Sequence, residues 1–204
     1  MNEKNKQVEL QSSCIKRFAP VYARIKELVE TKEKTILVAI DGKCASGKTT
    51  LGYYLKREFD ANLFHMDDFF LQKEQRTEER MKEIGGNVDY ERFHQEVIQP
   101  LLGGKKILYR PFQCKTLQIQ EGIEILPKRV NVIEGSYSQH DYFGDIYDVR
   151  VFMNINTDKQ IDNIRKRNGE EQLKVFLERW IPKEEAYFEK FLIQQKSEFI
   201  VEWK

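Results

Sequence analysis

The sequence predicts an α/β fold, a mainly parallel sheet flanked by helices. Two observations carry this. Short apolar runs rich in branched residues recur at 35–41, 61–66, 129–134, 149–155 and 199–203, the pattern of strands buried on both faces. Between them lie segments with helical apolar spacing, and strands that alternate with helices favour parallel pairing through right-handed crossovers.

Taken in order, Ile15, Phe18, Val21, Ile25, Leu28 and Val29 lie at helical spacing and predict a helix over 14–32, with Pro20 disturbing its interior. Thr35–Asp41 reads as a buried strand ending at a glycine, and 47–58 as the helix after it. Ala61–Met66 is a second strand running into Asp67–Asp68. The charged stretch 72–87 reads as a helix or excursion closed by a turn at Gly85–Gly86–Asn87, and 90–102 as a helix broken by Gly103–Gly104. Ile107–Phe112 and Leu117–Ile125 alternate as a two-stranded ribbon. Arg129–Glu134 and Val149–Ile155 are core strands. Helices follow at 157–168 and 171–195, the second complicated by Pro182, and Phe199–Trp203 is the last strand. The expected organisation is one domain over 1–204. Its core is 33–70 and 128–204, with an excursion over 71–127 and the N-terminal helix at 14–32.

A chain of 204 residues, 40% hydrophobic and 33% charged, is long enough to bury a core under a well-solvated surface. A net charge of +1 supplies no basic field for nucleic acid and no acidic tail. Met1–Leu10 is polar and charged, unlike a signal peptide, and no apolar run approaches a membrane span. Cys14, Cys44 and Cys114 lack zinc or redox-pair spacing. The expectation is a cytoplasmic protein with three reduced thiols and no membrane or nucleic-acid partner.

The chemistry begins at Gly42-Lys43-Cys44-Ala45-Ser46-Gly47-Lys48-Thr49, which fits G-x-x-x-x-G-K-[ST] in full, with Thr50 next to it. Glycine permits the backbone that turns successive N–H groups toward one anion. Lys48 brings an ammonium to the outer phosphates, Thr49 offers a hydroxyl to Mg²⁺, and the next helix points its positive end at the phosphates. A strand–loop–helix context makes this a strong signal for ATP or another nucleoside triphosphate, within a P-loop NTPase-type fold.

Asp67 and Asp68 follow the second strand, where one carboxylate can orient a hydroxyl and accept its proton or help to hold Mg²⁺. On an extended segment only one of the two faces the site. Glu134 ends an apolar strand, where an unsatisfied carboxylate is costly and Mg²⁺ is a fitting partner. His65, His94 and His140 share no spacing, and no zinc or Ser-His-Asp constellation is present.

Together these segments resemble the uridine kinase-like P-loop kinases, relatives of phosphoribulokinase and bacterial pantothenate kinase. The carriers are IDGKCASGKTTL at 40–51, HMDDFF at 65–70, GGNVDYERF at 85–93, VIEGSY at 132–137 and IRKRNG at 164–169. The resemblance implies transfer of the γ-phosphate of ATP to a small-molecule hydroxyl, most simply that of uridine or cytidine, with Mg²⁺ held by Thr49, Asp67 and Glu134. It implies that Asp67 is the base, Asp89 a ribose ligand, and Arg165 and Arg167 lid cations that join Lys48 in catalysis. It makes 71–127 an acceptor-binding excursion with a small β-ribbon, and gives the chain a helical lid. Tyr109, Arg110 and Phe112 fall where the family's ribbon meets the acceptor, but no histidine accompanies them, and Asp162 and Asn163 stand where further lid arginines are expected. Arg110 and Gln113 are also candidates for reading an acceptor with an acidic group. Arg179, in an aromatic helix segment, is a lesser candidate for a nucleotide contact. Nicotinamide riboside, a pantothenate-like alcohol or a sugar remain alternative acceptors, and an ATP-binding regulator an alternative class. A GTPase lacks support, since no N/T-K-x-D segment is present. Homo-oligomer formation is left open.

Overall fold

The apolar run after Thr35 becomes the centre of the sheet. The computed structural model describes residues 12–203. The expectations about Met1–Leu10 and the Cys14 thiol concern groups outside the described residues. The first half contains α1 (Ser12–Thr31), β1 (Ile36–Gly42), α2 (Lys48–Glu58), β2 (Asn62–His65), α3 (Glu78–Lys82), α4 (Tyr90–Phe93) and α5 (Gln99–Leu102). Then come β3 (Ile107–Tyr109), β4 (Phe112–Gln113), β5 (Gln118–Ile119), β6 (Ile123–Ile125), β7 (Val130–Glu134) and β8 (Val149–Ile155). The chain ends with α6 (Thr157–Asn168), α7 (Glu170–Val175), α8 (Ile181–Lys190), α9 (Ile193–Lys196) and β9 (Phe199–Trp203).

Five strands form one sheet in the order β2-β7-β1-β8-β9, and every pairing in it is parallel. β1 is flanked on both sides and buried along its whole length. Its side chains alternate between two cores. Ile36, Val38 and Ile40 pack with Phe18, Val21 and Ile25 of α1 and with Leu51 and Leu55 of α2. Leu37 and Ala39 face the other core, which holds Phe93, Phe152, Tyr187 and Phe188. Each flanking helix thus covers the sheet with the apolar face its sequence spacing marks. Among the described residues no helix is long and apolar enough to cross a membrane.

The structure refines several expectations. The ribbon consists of two short antiparallel ladders, β3 with β6 and β4 with β5. The break falls at Arg110–Pro111, because proline has no N–H to donate to a ladder. Residues 72–87 contain only a 3₁₀ turn at Lys73–Gln75 and the short α3. The helix expected over 171–195 is interrupted twice, by a π turn at Phe176–Trp180 and by Leu192, whose φ is +51°. A second π turn, His94–Ile98, joins α4 to α5. Each π turn ends two residues before a proline, Pro100 or Pro182. The wider turn relieves the clash of the proline ring with the preceding turn, so the helical path continues instead of breaking.

Candidate active site

Strand register gathers the polar ends of β1, β2 and β7 at one edge of the sheet. Glu134 stands opposite both Ile40 of β1 and His65 of β2. The segment 42–49 then turns from β1 into α2 beside them. This edge opens into a cleft of ≈ 580 Å³ to which Lys48, Thr49, Thr50, Asp67, Glu134 and Arg167 all contribute. It is the carboxyl edge of a parallel sheet, the usual ligand site of such folds.

The glycines of the loop are set by their neighbours. Gly42 has a φ of +129°, and a Cβ there would lie 2.2 Å from the Met153 carbonyl oxygen of β8. Gly47 has a φ of +88°, and a Cβ there would lie 2.7 Å from the Trp203 ring at the end of β9. Two groups on α6 hold the loop from outside: Gln160 Nε2 donates to the Cys44 carbonyl at 3.1 Å, and Asn163 Nδ2 to that of Ala45 at 3.2 Å. Lys48 Nζ donates to the carbonyls of Gly42 at 2.6 Å and Lys43 at 2.9 Å, and to Ser136 Oγ at 3.3 Å. Ser46 is fully buried, and its hydroxyl has no hydrogen-bond partner among the described residues. These features suit an anion cradle.

Thr49 Oγ1 donates to Glu134 Oε1 at 3.1 Å, and His65 Nδ1 lies 2.5 Å from the same oxygen. Burial lowers the pKa of His65, but the hydrogen bond and charge of Glu134 outweigh it and hold it above the ordinary value. The acidic pair lies on a 3₁₀ turn, Met66–Phe69, and not on the extended segment expected. The turn splays the two carboxylates. Asp67 lines the cleft, while Asp68 Oδ2 accepts the Tyr109 hydroxyl at 2.6 Å. The surrounding protein, and after it the Glu134 carboxylate, push the pKa of Asp67 up to about 6.

A threonine hydroxyl beside a carboxylate, with a second carboxylate in the same cleft, is a hard oxygen donor set that fits Mg²⁺. Among the described residues no three His, Cys, Asp or Glu side chains form a metal cluster on their own.

Other expected site residues lie elsewhere. Arg167 lines the cleft with its guanidinium 5.9 Å from the centre of the Phe176 ring. Arg165 is exposed outside it and pairs with Asp162 at 2.8 Å and Glu170 at 2.9 Å. Asp89 is 2% exposed. Its oxygens accept the Arg92 N–H at 3.0 Å, as the N-cap of α4, and Gln75 Nε2 at 2.8 Å. Arg110 is engaged by Glu96 and Phe112 is buried. Neither they nor Tyr109 line the cleft, and Arg179 lies outside it over the Trp180 ring, at 4.6 Å.

Four residues of this region escape motif reading. Asp41, fully buried behind the loop, accepts from the N–H groups of Gly42 at 2.7 Å and Gln139 at 3.0 Å, and from the Tyr187 hydroxyl at 2.8 Å. Burial raises its pKa to about 6 against those hydrogen bonds. Glu184 and Ser136 reach the loop from α8 and from the segment after β7. Asn87 is 6% exposed and lines the cleft, and its Oδ1 has no hydrogen-bond partner among the described residues. Asp41, Ser136 and Asn87 lie inside the segments that carry the family resemblance, though with no role attached to them, and Glu184 lies outside all of these segments.

No protein-family model matches the chain, and no curated protein does. Solved structures do. A possible uridine kinase from Bacillus stearothermophilus is 19% identical with a TM-score of 0.62, over 89% of this chain and 99% of that one. D-glycerate 3-kinase from Cryptococcus neoformans is 15% identical with a TM-score of 0.59, over 85% of this chain and 88% of that one. At these identities the likeness establishes the fold, that of the P-loop kinases.

Proposed function

We propose that this protein is an ATP- and Mg²⁺-dependent phosphotransferase that moves the terminal phosphate of ATP to a hydroxyl of a small molecule, a nucleoside first among the candidates. The observation that carries this is the convergence of Lys48, Thr49, Glu134 and Asp67 on one cleft. A phosphate-binding protein without transfer chemistry has no need of the further carboxylate, Asp67, in that cleft. The fold shared with small-molecule kinases supports the same reading. In it, Lys48 and the loop N–H groups bind and orient the outer phosphates, Thr49, Glu134 and Asp67 hold Mg²⁺, and Asp67 orients the acceptor hydroxyl and takes its proton. Bound Mg²⁺ supplies charge neutralisation on the phosphate oxygens. Arg167 adds positive charge from the lid, with Arg165 pairing beside it.

The cleft is also lined by Phe70, Tyr137, Phe176 and Trp180, which suits an acceptor with a flat ring. The Asp67 carboxylate in the same cleft suits, as a second acceptor class, a cationic nucleoside such as nicotinamide riboside. A coupled ADP-release assay with Mg-ATP against nucleosides, vitamins and sugars tests the reading. Stimulation by one of these alcohols is expected, and tight ATP binding with no stimulation by any would favour a regulator.

Asn87 supplies a sharper test. Its unpaired oxygen invites a donor from the acceptor, and losing such a hydrogen bond costs about 1–3 kcal/mol. Asn87→Leu is expected to raise the acceptor KM roughly tenfold or more, with the KM for ATP nearly unchanged. Equal effects on both substrates would remove Asn87 from the acceptor side.

A further inference from the structure

Helix α8 carries a carboxylate into the phosphate loop. Glu184 is 7% exposed. Its Oε2 accepts the Cys44 N–H at 2.9 Å, and its Oε1 accepts the Ser136 hydroxyl at 2.5 Å. Ser136 Oγ in turn accepts a hydrogen bond from Lys48 Nζ at 3.3 Å. Glu184 forms no ion pair among the described residues, so these donors are what hold its charge out of water. One is a backbone amide of the anion cradle. The other leads in one further step to the ammonium that serves the outer phosphates. The helix is anchored at the same place by its neighbours: the Tyr187 hydroxyl donates to Asp41 at the start of the loop, and Glu185 lies 3.7 Å from Lys43 Nζ. An anion of the protein's own thus sits at the outer-phosphate corner of a loop built for anions, using donors that a phosphate oxygen would use.

Resting on the kinase reading, we propose that Glu184 is a positioning residue that holds this corner of the loop in place of the terminal phosphate and is displaced by it, so that the loop distinguishes ATP from ADP through Glu184. Two anions cannot share one amide and one hydroxyl donor without strong repulsion in a partly desolvated cleft. A diphosphate leaves the corner to Glu184, whereas a triphosphate must evict it. Gln in its place keeps an acceptor for the Cys44 N–H and offers Ser136 a donor, so Glu184→Gln removes the charge while preserving the shape.

The test is calorimetric titration of the full chain with a Mg²⁺-bound non-hydrolysable ATP analogue and with Mg-ADP. Glu184→Gln is expected to tighten the triphosphate on the order of tenfold, as expected from loss of one like-charge contact, while ADP affinity moves by less than about twofold. Glu184→Ala, which removes the carboxylate outright and leaves the Cys44 N–H and the Ser136 hydroxyl to the phosphate, should shift the triphosphate the same way, and it carries the test if Glu184→Gln does not fold. Equal shifts for both nucleotides, or weaker triphosphate binding, would make Glu184 a structural brace and overturn the proposal. Failure of the wild-type protein to bind either nucleotide would instead sink the kinase reading, and this inference with it.

Discussion

Asp67→Asn is expected to lower kcat by about 10³-fold while the affinity for Mg-ATP changes only a few-fold, as expected for loss of a general base that the phosphate loop does not need. Asparagine keeps the size of the side chain and removes its ability to take the acceptor proton. Asp68→Asn provides the contrast. Asp68 is held by the Tyr109 hydroxyl and does not line the cleft, so its loss should act mainly through stability. Near-normal turnover in Asp67→Asn, or a larger kcat loss in Asp68→Asn, would reject the assignment. The pH profile checks the same group. A base works when ionised, and the pKa of Asp67 is raised to about 6 by the protein around it and by Glu134. Mg²⁺ held beside Asp67 pulls that pKa back down, so the acceptor kcat/KM should fall as pH drops below about 6. The same acid limb persisting in the residual activity of Asp67→Asn would point to another base.

Gly42→Ala should unfold the site from within. The added Cβ would meet the Met153 carbonyl oxygen at 2.2 Å, on a backbone with φ of +129°. Backbone is the obstacle, so no side-chain rotation relieves the clash, and β1 must move against β8. Left-handed strain and overpacking each cost about 1–3 kcal/mol. The sum, roughly 2–6 kcal/mol, lowers the melting temperature by about 10 °C in a chain of this size, and nucleotide binding should be lost with it. Thermal denaturation beside ATP titration measures both. A variant with unchanged melting temperature would show that β1 and β8 can separate at no cost there.

The order of elements was legible in the sequence because each strand and helix declares itself locally. Ile36–Gly42, Val149–Ile155 and Thr157–Asn168 fall where period and composition place them. Pro111, Pro182 and Leu192 caused the departures, since a break depends on whether neighbouring turns can widen to absorb it. The phosphate loop was equally legible, because its chemistry needs consecutive residues at fixed spacing. Asp68 and Asp67 could be named as a pair but not separated, because the Tyr109 hydroxyl that holds Asp68 aside comes from a segment 41 positions along the chain.

By itself, then, the sequence determined an α/β chain with a phosphate loop at Gly42–Thr49 and acids at the ends of two strands. These are properties of contiguous residues, in which local conformation and chemistry coincide. Only the tertiary structure decided that Asp67 faces the cleft, that Asp89 caps α4, that Arg167 but not Arg165 lines the cleft, and that Glu184 and Asp41 hold the loop. The hold of Glu184 and of Tyr187, through Asp41, on the loop depends on α8 packing back over β1, which brings together residues more than a hundred positions apart whose meeting leaves no mark in the local pattern of either. Asp89 and Arg165 are settled by nearer partners, Arg92, Asp162 and Glu170, whose choice depends on side-chain direction that residue spacing alone does not give.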